Sequence, residues 1–279
     1  MGQRYLAILQ VMLVLFFSCD LSAQYYYKEI WNSQQLNREF AILKNEKIRD
    51  ISIKSFEGDG QPSEGFFCEK RIDKNYGRTQ MLSKSNVTGQ SLIISYFDPS
   101  GHIVKTIDST ENSFNQTEYT YDDKGRIVTI KTFTKDDADA AGIAETHRYI
   151  YNGEKLVKME REKNNSLYAT VNFTVDDKDN VMDEEEISKS GRKKYFYYYD
   201  DKNQLTDVVH YNERAKRLLP DYMYEYDQQG QITKLVSTEA DGSNYFTWQY
   251  TYNDKRLRAT ERCSTKDRRL LGSVEYVYK

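Results

Sequence analysis

Cysteine, proline and histidine are scarce in this chain, three of each in 279 residues. One cysteine falls in the N-terminal leader, so the mature chain keeps Cys68 and Cys263. Two cysteines do not make the framework of a disulfide-dense secreted domain, and no Cys-x-x-Cys or Cys/His spacing suits zinc. Both thiols are expected to be buried, unpaired small hydrophobes. Charge of one sign is missing as well. Forty Lys and Arg face 43 Asp and Glu, a net charge of −3 with the signs mixed. That excludes a basic nucleic-acid footprint and gives no reason to expect an anionic membrane. Beyond the leader no segment is apolar enough to cross a membrane as a helix, which needs ~20 residues. A nucleophile elbow, a P-loop and a dinucleotide fingerprint are all absent, and the glycines fall in turns. No catalytic, cofactor-binding or metal residue is assigned, and no cofactor is implied.

Hydrophobic residues make up 38 %, below the ~45–50 % of an ordinary globular domain. Against this stand 24 Tyr, 12 Phe and 2 Trp, too many aromatics for a disordered chain. Residues 1–23 read as a signal peptide. Arg4 precedes an apolar run from Tyr5 through Phe17 broken only by Gln10, and Leu21-Ser22-Ala23 offers a small-residue cleavage site before Gln24. The run is too short to span a bilayer and fits a signal core of ~7–15 residues. A second reading cleaves before Cys19 and attaches a lipid there, although Phe16 and Phe17 match that box poorly. Either way the product is exported, to the periplasm, the cell surface or the medium.

After the leader the sequence repeats itself. Tyr119-Thr120-Tyr121-Asp122-Asp123-Lys124-Gly125-Arg126-Ile127 recurs as Tyr224 to Ile232 and as Tyr197 to Leu205, with looser copies at Tyr149, Phe173 and Tyr250. Degraded copies lie at Tyr96 to Gly101 and around Ile72-Asp73, and the chain ends on the half copy Tyr276-Val277-Tyr278. The position before the Asp or Asn falls at 72, 97, 121, 151, 175, 199, 226, 252 and 278. From Tyr119 onward the residue two places earlier is always aromatic.

Each unit reads as a β-hairpin. Aromatics two apart share one face of a strand. Asp-x-x-Gly suits a type I turn, with the Asp side chain accepting backbone N–H groups and Gly taking positive φ. An inward apolar residue follows on the returning strand: Ile103, Ile127, Val181, Leu205 and Ile232, with Leu156 and Leu257 after turns read as one residue shorter. The segment Asp136 to Glu145 reads as a long exposed loop. The pattern resembles the YD-repeat (RHS-like) family of bacterial exported proteins, whose unit is Tyr-x-Tyr-Asp, two variable residues, then Gly-Arg-Leu. The likeness covers roughly residues 66–279. It implies a β-hairpin array, which in large members is wound into a shell around a toxin. This chain is far shorter and stops within a repeat.

The expected fold is all-β, with tandem β-hairpin repeats forming one long, curled antiparallel sheet of about 16 strands. Residues 46–279 are expected to form the repeat domain. Residues 24–45 are expected to be a cap segment, with Trp31, Leu36, Phe40 and Leu43 striping a short helix from about Lys28 to Lys44 over the first hairpin. In an open sheet Cys68 and Cys263 would lie far beyond disulfide reach. His102, His147 and His210 occupy different repeats and share no ligand spacing, so they read as structural or solvent-exposed. Asp176 to Asn180 and Asp136 to Asp139 lack the pattern of a calcium loop and read as turns. Glu184, Glu185 and Glu186 read as a solvated face. The Tyr rows read first as a packing ladder and second as a sugar- or partner-binding face. Trp248 and the 136–145 loop break the repeat. The expected product is a non-enzymatic exported repeat protein, a scaffold or protein-binding module of the bacterial cell envelope. The alternative is an envelope polysaccharide-binding protein using its aromatic faces.

Overall fold

The computed structural model describes residues 25–137, 141–212, 216–239 and 244–279. The proposed signal peptide and Cys19 lie outside these residues. Among the described residues one helix, α1 (Tyr26–Asn45), precedes eighteen strands. The first six are β1 (Asp50–Glu57), β2 (Phe67–Ile72), β3 (Arg78–Ser85), β4 (Gly89–Phe97), β5 (Ile103–Thr110) and β6 (Ser113–Tyr121). Next come β7 (Ile127–Asp136), β8 (Ile143–Asn152), β9 (Lys155–Lys163), β10 (Ser166–Val175), β11 (Val181–Ser188) and β12 (Gly191–Tyr199). The last are β13 (Leu205–Asn212), β14 (Arg217–Tyr226), β15 (Ile232–Thr238), β16 (Tyr245–Tyr252), β17 (Arg258–Thr265) and β18 (Leu270–Tyr278).

Every strand pairs antiparallel with its neighbours in sequence, and β18 pairs with β1 through seven residue pairs from Ile51↔Tyr278 to Glu57↔Gly272. The sheet is therefore a closed up-and-down barrel, which corrects the expected open curled sheet. Twist accumulated over eighteen strands suffices for a full turn, and closure leaves no unpaired edge. The terminal half copy, Tyr276-Val277-Tyr278, supplies the closing strand. Cys68 and Cys263 are both free and buried. They stay apart because β1 and β18 lie between their strands, so free thiols do not require an open sheet.

The turns follow one pattern at one end of the barrel. The Asp122 carboxylate accepts the N–H groups of Lys124 (3.0 Å) and Arg126 (2.9 Å), while its backbone N–H donates to Arg126. Asp200, Asp227 and Asn253 repeat this arrangement. The residue that closes each turn has a left-handed φ, as in Gly125 (75°), Asn203 (67°) and Arg256 (62°), and a β-bulge follows where the register shifts, as between Thr120 and Tyr121. Only Asn152 begins a shortened turn, giving Tyr151↔Leu156. At Asn253 the turn is full length, so Arg258 rather than Leu257 pairs with Tyr252. The connection after β7 is also shorter than expected, because strand pairing continues from Ser113↔Asp136 to Thr134↔Ile143. Residues 138–140 lie outside the described residues.

Inward positions are set by the turn. On the outgoing strand they are the two tyrosines and every second residue before them. On the returning strand the bulge makes them the first, fourth and sixth residues, such as Ile127, Ile130 and Thr132. The second tyrosine of each unit donates its hydroxyl to the first carbonyl of the previous returning strand. The bonds are Tyr121 to Ile103 (2.7 Å), Tyr151 to Ile127 (3.1 Å), Tyr199 to Val181 (2.9 Å), Tyr226 to Leu205 (2.6 Å), Tyr252 to Ile232 (2.7 Å) and Tyr278 to Arg258 (2.6 Å). The Tyr rows are thus an internal ladder that staples a hairpin to the one before wherever this position is Tyr. Trp248 belongs to the same interior, 2 % exposed and level with Leu235 and Cys263.

Helix α1 packs its last turns on the first hairpin, where Phe40 and Leu43 cluster with Ile51, Ile53 and Cys68, but it also reaches across the ring. Its 20 residues, ~30 Å long, bridge opposite sectors of the wall from inside the ring. Near its start Tyr25 packs edge-on to Tyr195 (4.6 Å) and Tyr222 (5.7 Å), and Tyr27 to Tyr197 (5.1 Å). Near its end Phe40 stacks on Phe97 at 3.6 Å, and Lys44 donates to the Pro99 carbonyl (3.4 Å). The closed ring leaves it no free hairpin edge to cover. The stripe of Trp31, Leu36, Phe40 and Leu43 is imperfect because wall residues meet the helix on several sides.

The outer wall carries the opposite parity of side chains and is charged. Lys105 pairs with Glu118 (3.6 Å), Arg148 with Glu162 (3.2 Å), Lys194 with Asp183 (3.1 Å) and Lys234 with Glu225 (2.7 Å). A barrel that spans a membrane presents an outward apolar band ~25 Å tall. This wall is built the other way, with aromatics inside and charges outside.

Candidate functional site

The densest buried chemistry lies where the first turn of α1 meets β8, β9 and β11. The helix begins with no side-chain cap of its own, so its first N–H groups need outside acceptors. Glu184, on β11, supplies them. Its Oε1 accepts the Tyr26 N–H (3.1 Å) and its Oε2 the Tyr27 N–H (2.9 Å). A carboxylate at a helix N-terminus is also favoured by the helix dipole. Glu184 is only 1 % exposed, and burial pushes its carboxyl up to about 8, against those backbone bonds.

One turn along the helix, Glu29 reaches the wall. Its Oε2 accepts from Nδ1 of His147 (2.8 Å) and from the Tyr149 hydroxyl (2.7 Å). Nε2 of His147 donates to Glu145 (2.7 Å), and Arg161 grips Glu145 bidentately at 2.8 and 2.9 Å. Arg161 also donates to the Tyr26 hydroxyl (3.2 Å), which in turn hydrogen-bonds Glu186. Burial disfavours the His147 imidazolium, but the facing Glu29 and Glu145 outweigh it and raise the ring to about 9. The ring is therefore cationic at neutral pH and donates from both nitrogens. Burial opposes ionisation of Glu145 too, yet His147 and Arg161 hold it down at about 2. The result is a continuous polar clamp from helix to wall. Every member has partners, as buried charges require.

One expectation changes here. Glu184 and Glu186 do not form a solvated face: both are buried, and only Glu185 points outward, 3.5 Å from Arg192. Three consecutive acids on a strand cannot share a face, because side chains alternate. His147 is buried within β8, in line with its structural reading. The other histidines are not brought to it. His102 stacks on Tyr121 at 4.9 Å beside Asp98, and His210 bonds Asp221 at 2.7 Å. In the Asp176 to Asn180 stretch, Asp176 receives the N–H groups of Lys178 and Asn180 at 2.8 and 2.9 Å and the Asn180 side chain at 2.9 Å. Its oxygens are used by the turn. Sequence reasoning missed Arg161, Glu145 and Glu29. The spacing after each turn could have found Arg161, since it occupies the sixth returning position that holds Thr132 and His210 in other units.

No family model matches this chain, and no curated protein does. Among solved structures it is similar to a porin-like protein from Bacteroides uniformis, at 12 % identity, covering 83 % of this chain and 98 % of that one, with a TM-score of 0.38. It is also similar to TcdB2-TccC3-TEV, at 10 % identity, 76 % of this chain, 12 % of that one and a TM-score of 0.33. A third is the Photorhabdus luminescens Tc holotoxin pore, at 10 % identity, 84 % of this chain, 17 % of that one and a TM-score of 0.31. Likenesses this distant transfer no activity to the chain.

Chemically, the clamp holds and orients. Its nucleophiles and bases face one another and the helix, and Glu145, Glu186 and Arg161 are committed to mutual pairs. A shallow cleft lined by Ile48, Asn253, Lys255, Tyr276 and Tyr278 lies elsewhere, at the β18–β1 seam.

Proposed function

We propose that this chain is an exported YD-repeat β-barrel, filled by its own N-terminal helix, that works without catalysis as a scaffold or protein-binding module in the bacterial cell envelope. One observation carries the reading. The groups capable of chemistry are spent on seating α1 inside the ring, which leaves the outer wall and its loops as the surface that meets other molecules. The charged outer wall favours a water-exposed barrel over one that crosses a bilayer. A crosslinked pull-down from native envelope, with residues 24–279 as bait and both peptides and sugars read by mass spectrometry, tests it. Enrichment of one protein partner supports the scaffold reading. Recovery of glycan without protein overturns it.

A polysaccharide reading keeps one foothold, since the repeated tyrosines point inward. Tyr198 and Tyr211 are outward and about half exposed on adjacent strands. Loss of a glycan-induced rise in melting temperature in Tyr198→Ala would support that reading.

A further inference from the structure

The two ends of the barrel differ in what they expose. Of the eleven large hydrophobic side chains most open to solvent among the described residues, seven lie at the end opposite the Asp turns: Phe67, Val87, Leu167, Tyr168, Ile187, Tyr211 and Leu218. Singly exposed apolar residues need no explanation, but five of these gather on three neighbouring hairpin tips. Leu167 (62 % exposed) and Tyr168 follow the β9–β10 tip, Ile187 precedes the β11–β12 tip, and Tyr211 and Leu218 flank the β13–β14 tip.

The same tips are basic. Lys163 ends β9, Lys189 and Lys193 flank the β11–β12 tip, and Arg217 opens β14. None of these four makes a salt bridge among the described residues, whereas the acids nearest them are taken, Glu162 by Arg148 and Glu185 by Arg192. Elsewhere on this end the β1–β2 and β7–β8 connections are acidic, with Glu57, Asp59 and Glu64 and with Asp136 and Asp137, while the β17–β18 connection carries Lys266, Arg268 and Arg269 beside Asp267. A net charge of −3 thus conceals an arc of free cations interleaved with exposed apolar side chains.

We propose that this arc, over the tips of β9 to β14, docks the barrel end-on against the surface of an anionic lipid membrane. The apolar side chains enter the headgroup boundary while the cations meet lipid phosphates, the combination that holds interfacial proteins without spanning. Charge complementarity selects the occupant. An apolar protein partner would not call for four unpaired cations around the contact, and the charged wall below the arc keeps the barrel out of the hydrocarbon.

Vesicle flotation tests this with residues 24–279, which contain the whole barrel and its helix and lack the apolar leader. Vesicles of phosphatidylethanolamine alone should leave the protein in solution. Vesicles that also contain phosphatidylglycerol should carry it up, and the bound fraction should fall as salt is raised. Each cation removed should lower partitioning by roughly fivefold. The fourfold variant K163E/K189E/K193E/R217E should abolish flotation, and L167S/L218S should reduce it, both with unchanged melting temperature because all the sites are exposed. Equal binding to both vesicles, binding to neither, or flotation that survives the fourfold reversal would overturn the proposal. So would capture by an anionic polysaccharide such as dextran sulfate with no binding to vesicles.

Discussion

The two ends of this barrel are built from the same strands under opposite rules. At the Asp-turn end most units close the same way, and the inward positions are large: Tyr149, Tyr197, Tyr224, Leu205 and Ile127, all buried against α1 or one another. At the far end the inward positions include Ser83, Ser85, Ser91, Asn115 and Thr134, and the connections vary in length and charge. The repeat therefore specifies a structural end and leaves the other free to vary, as loops on a rigid scaffold do. The largest expected contrast follows from this. Tyr197→Ala empties a site 3 % exposed and should cost about 3–5 kcal/mol in denaturant unfolding, whereas Ser83→Ala should stay within about 0.5 kcal/mol. Equal costs would mean that the interior is packed alike throughout.

Next in size is the pH dependence of the polar clamp. His147 rises from 6.5 to about 9, so its contribution is complete below pH 6.5 and lost as pH climbs through 9. Glu184 rises from 4.5 to about 8, so its contribution is complete below 4.5 and gone above 8. Glu145 falls from 4.5 to about 2 and acts in the other sense, stabilising above 4.5 and failing toward 2. Together they place maximal stability in mildly acid solution, about pH 4–5, with stability falling as pH climbs through 8 and 9. His147→Gln should flatten the alkaline limb in thermal melts taken across pH. An alkaline limb unchanged in that variant would remove His147 from the clamp.

Much of the wall was legible in the sequence. Tyr-x-Tyr-Asp located the outgoing strands, the turns and the inward aromatics, because a two-residue period and an Asp-bonded turn are local properties. Closure was not legible. Whether Tyr278 meets Ile51 depends on twist summed over the whole chain, which no single unit encodes. The place of α1 was hidden for a related reason: Ile30, Trp31 and Phe40 meet different sectors of a ring that exists only once closed. The clamp was half legible. The bulge moves inward positions to the fourth and sixth residues after each turn, so Glu184 and Glu186 were readable as buried. Their partners Tyr26 and Tyr27, more than 150 residues away on the helix, were not.

A smaller effect separates the turn side chains from the ladder. Asp200→Ala removes the acceptor for the N–H groups of Lys202 (3.0 Å) and Gln204 (2.8 Å). By analogy with lost helix caps it should cost about 1 kcal/mol, well below the loss at Tyr197 one strand turn away. A cost as large as the tyrosine's would make the turns, not the ladder, the main source of order at this end.

The finest test uses the closing position of the turn, where the units differ. Gly125 and Gly230 hold left-handed φ of 75° and 80°, while Arg256 is held at 62° with a full side chain. A left-handed backbone costs an L-residue with a Cβ about 1–2 kcal/mol and costs glycine little. Arg256 recovers part of this through its 3.2 Å bond to the Gln229 carbonyl, an exposed contact of small net value. Arg256→Gly should therefore stabilise the barrel by about 0.5–1 kcal/mol, and Gly230→Ala should destabilise it by at least as much. The two substitutions act on the same turn position in adjacent hairpins. Opposite signs in paired melts would establish that backbone conformation, rather than side-chain contact, sets the rule at the structural end. Destabilisation by Arg256→Gly would show that the guanidinium bond between neighbouring turns outweighs the strain of φ.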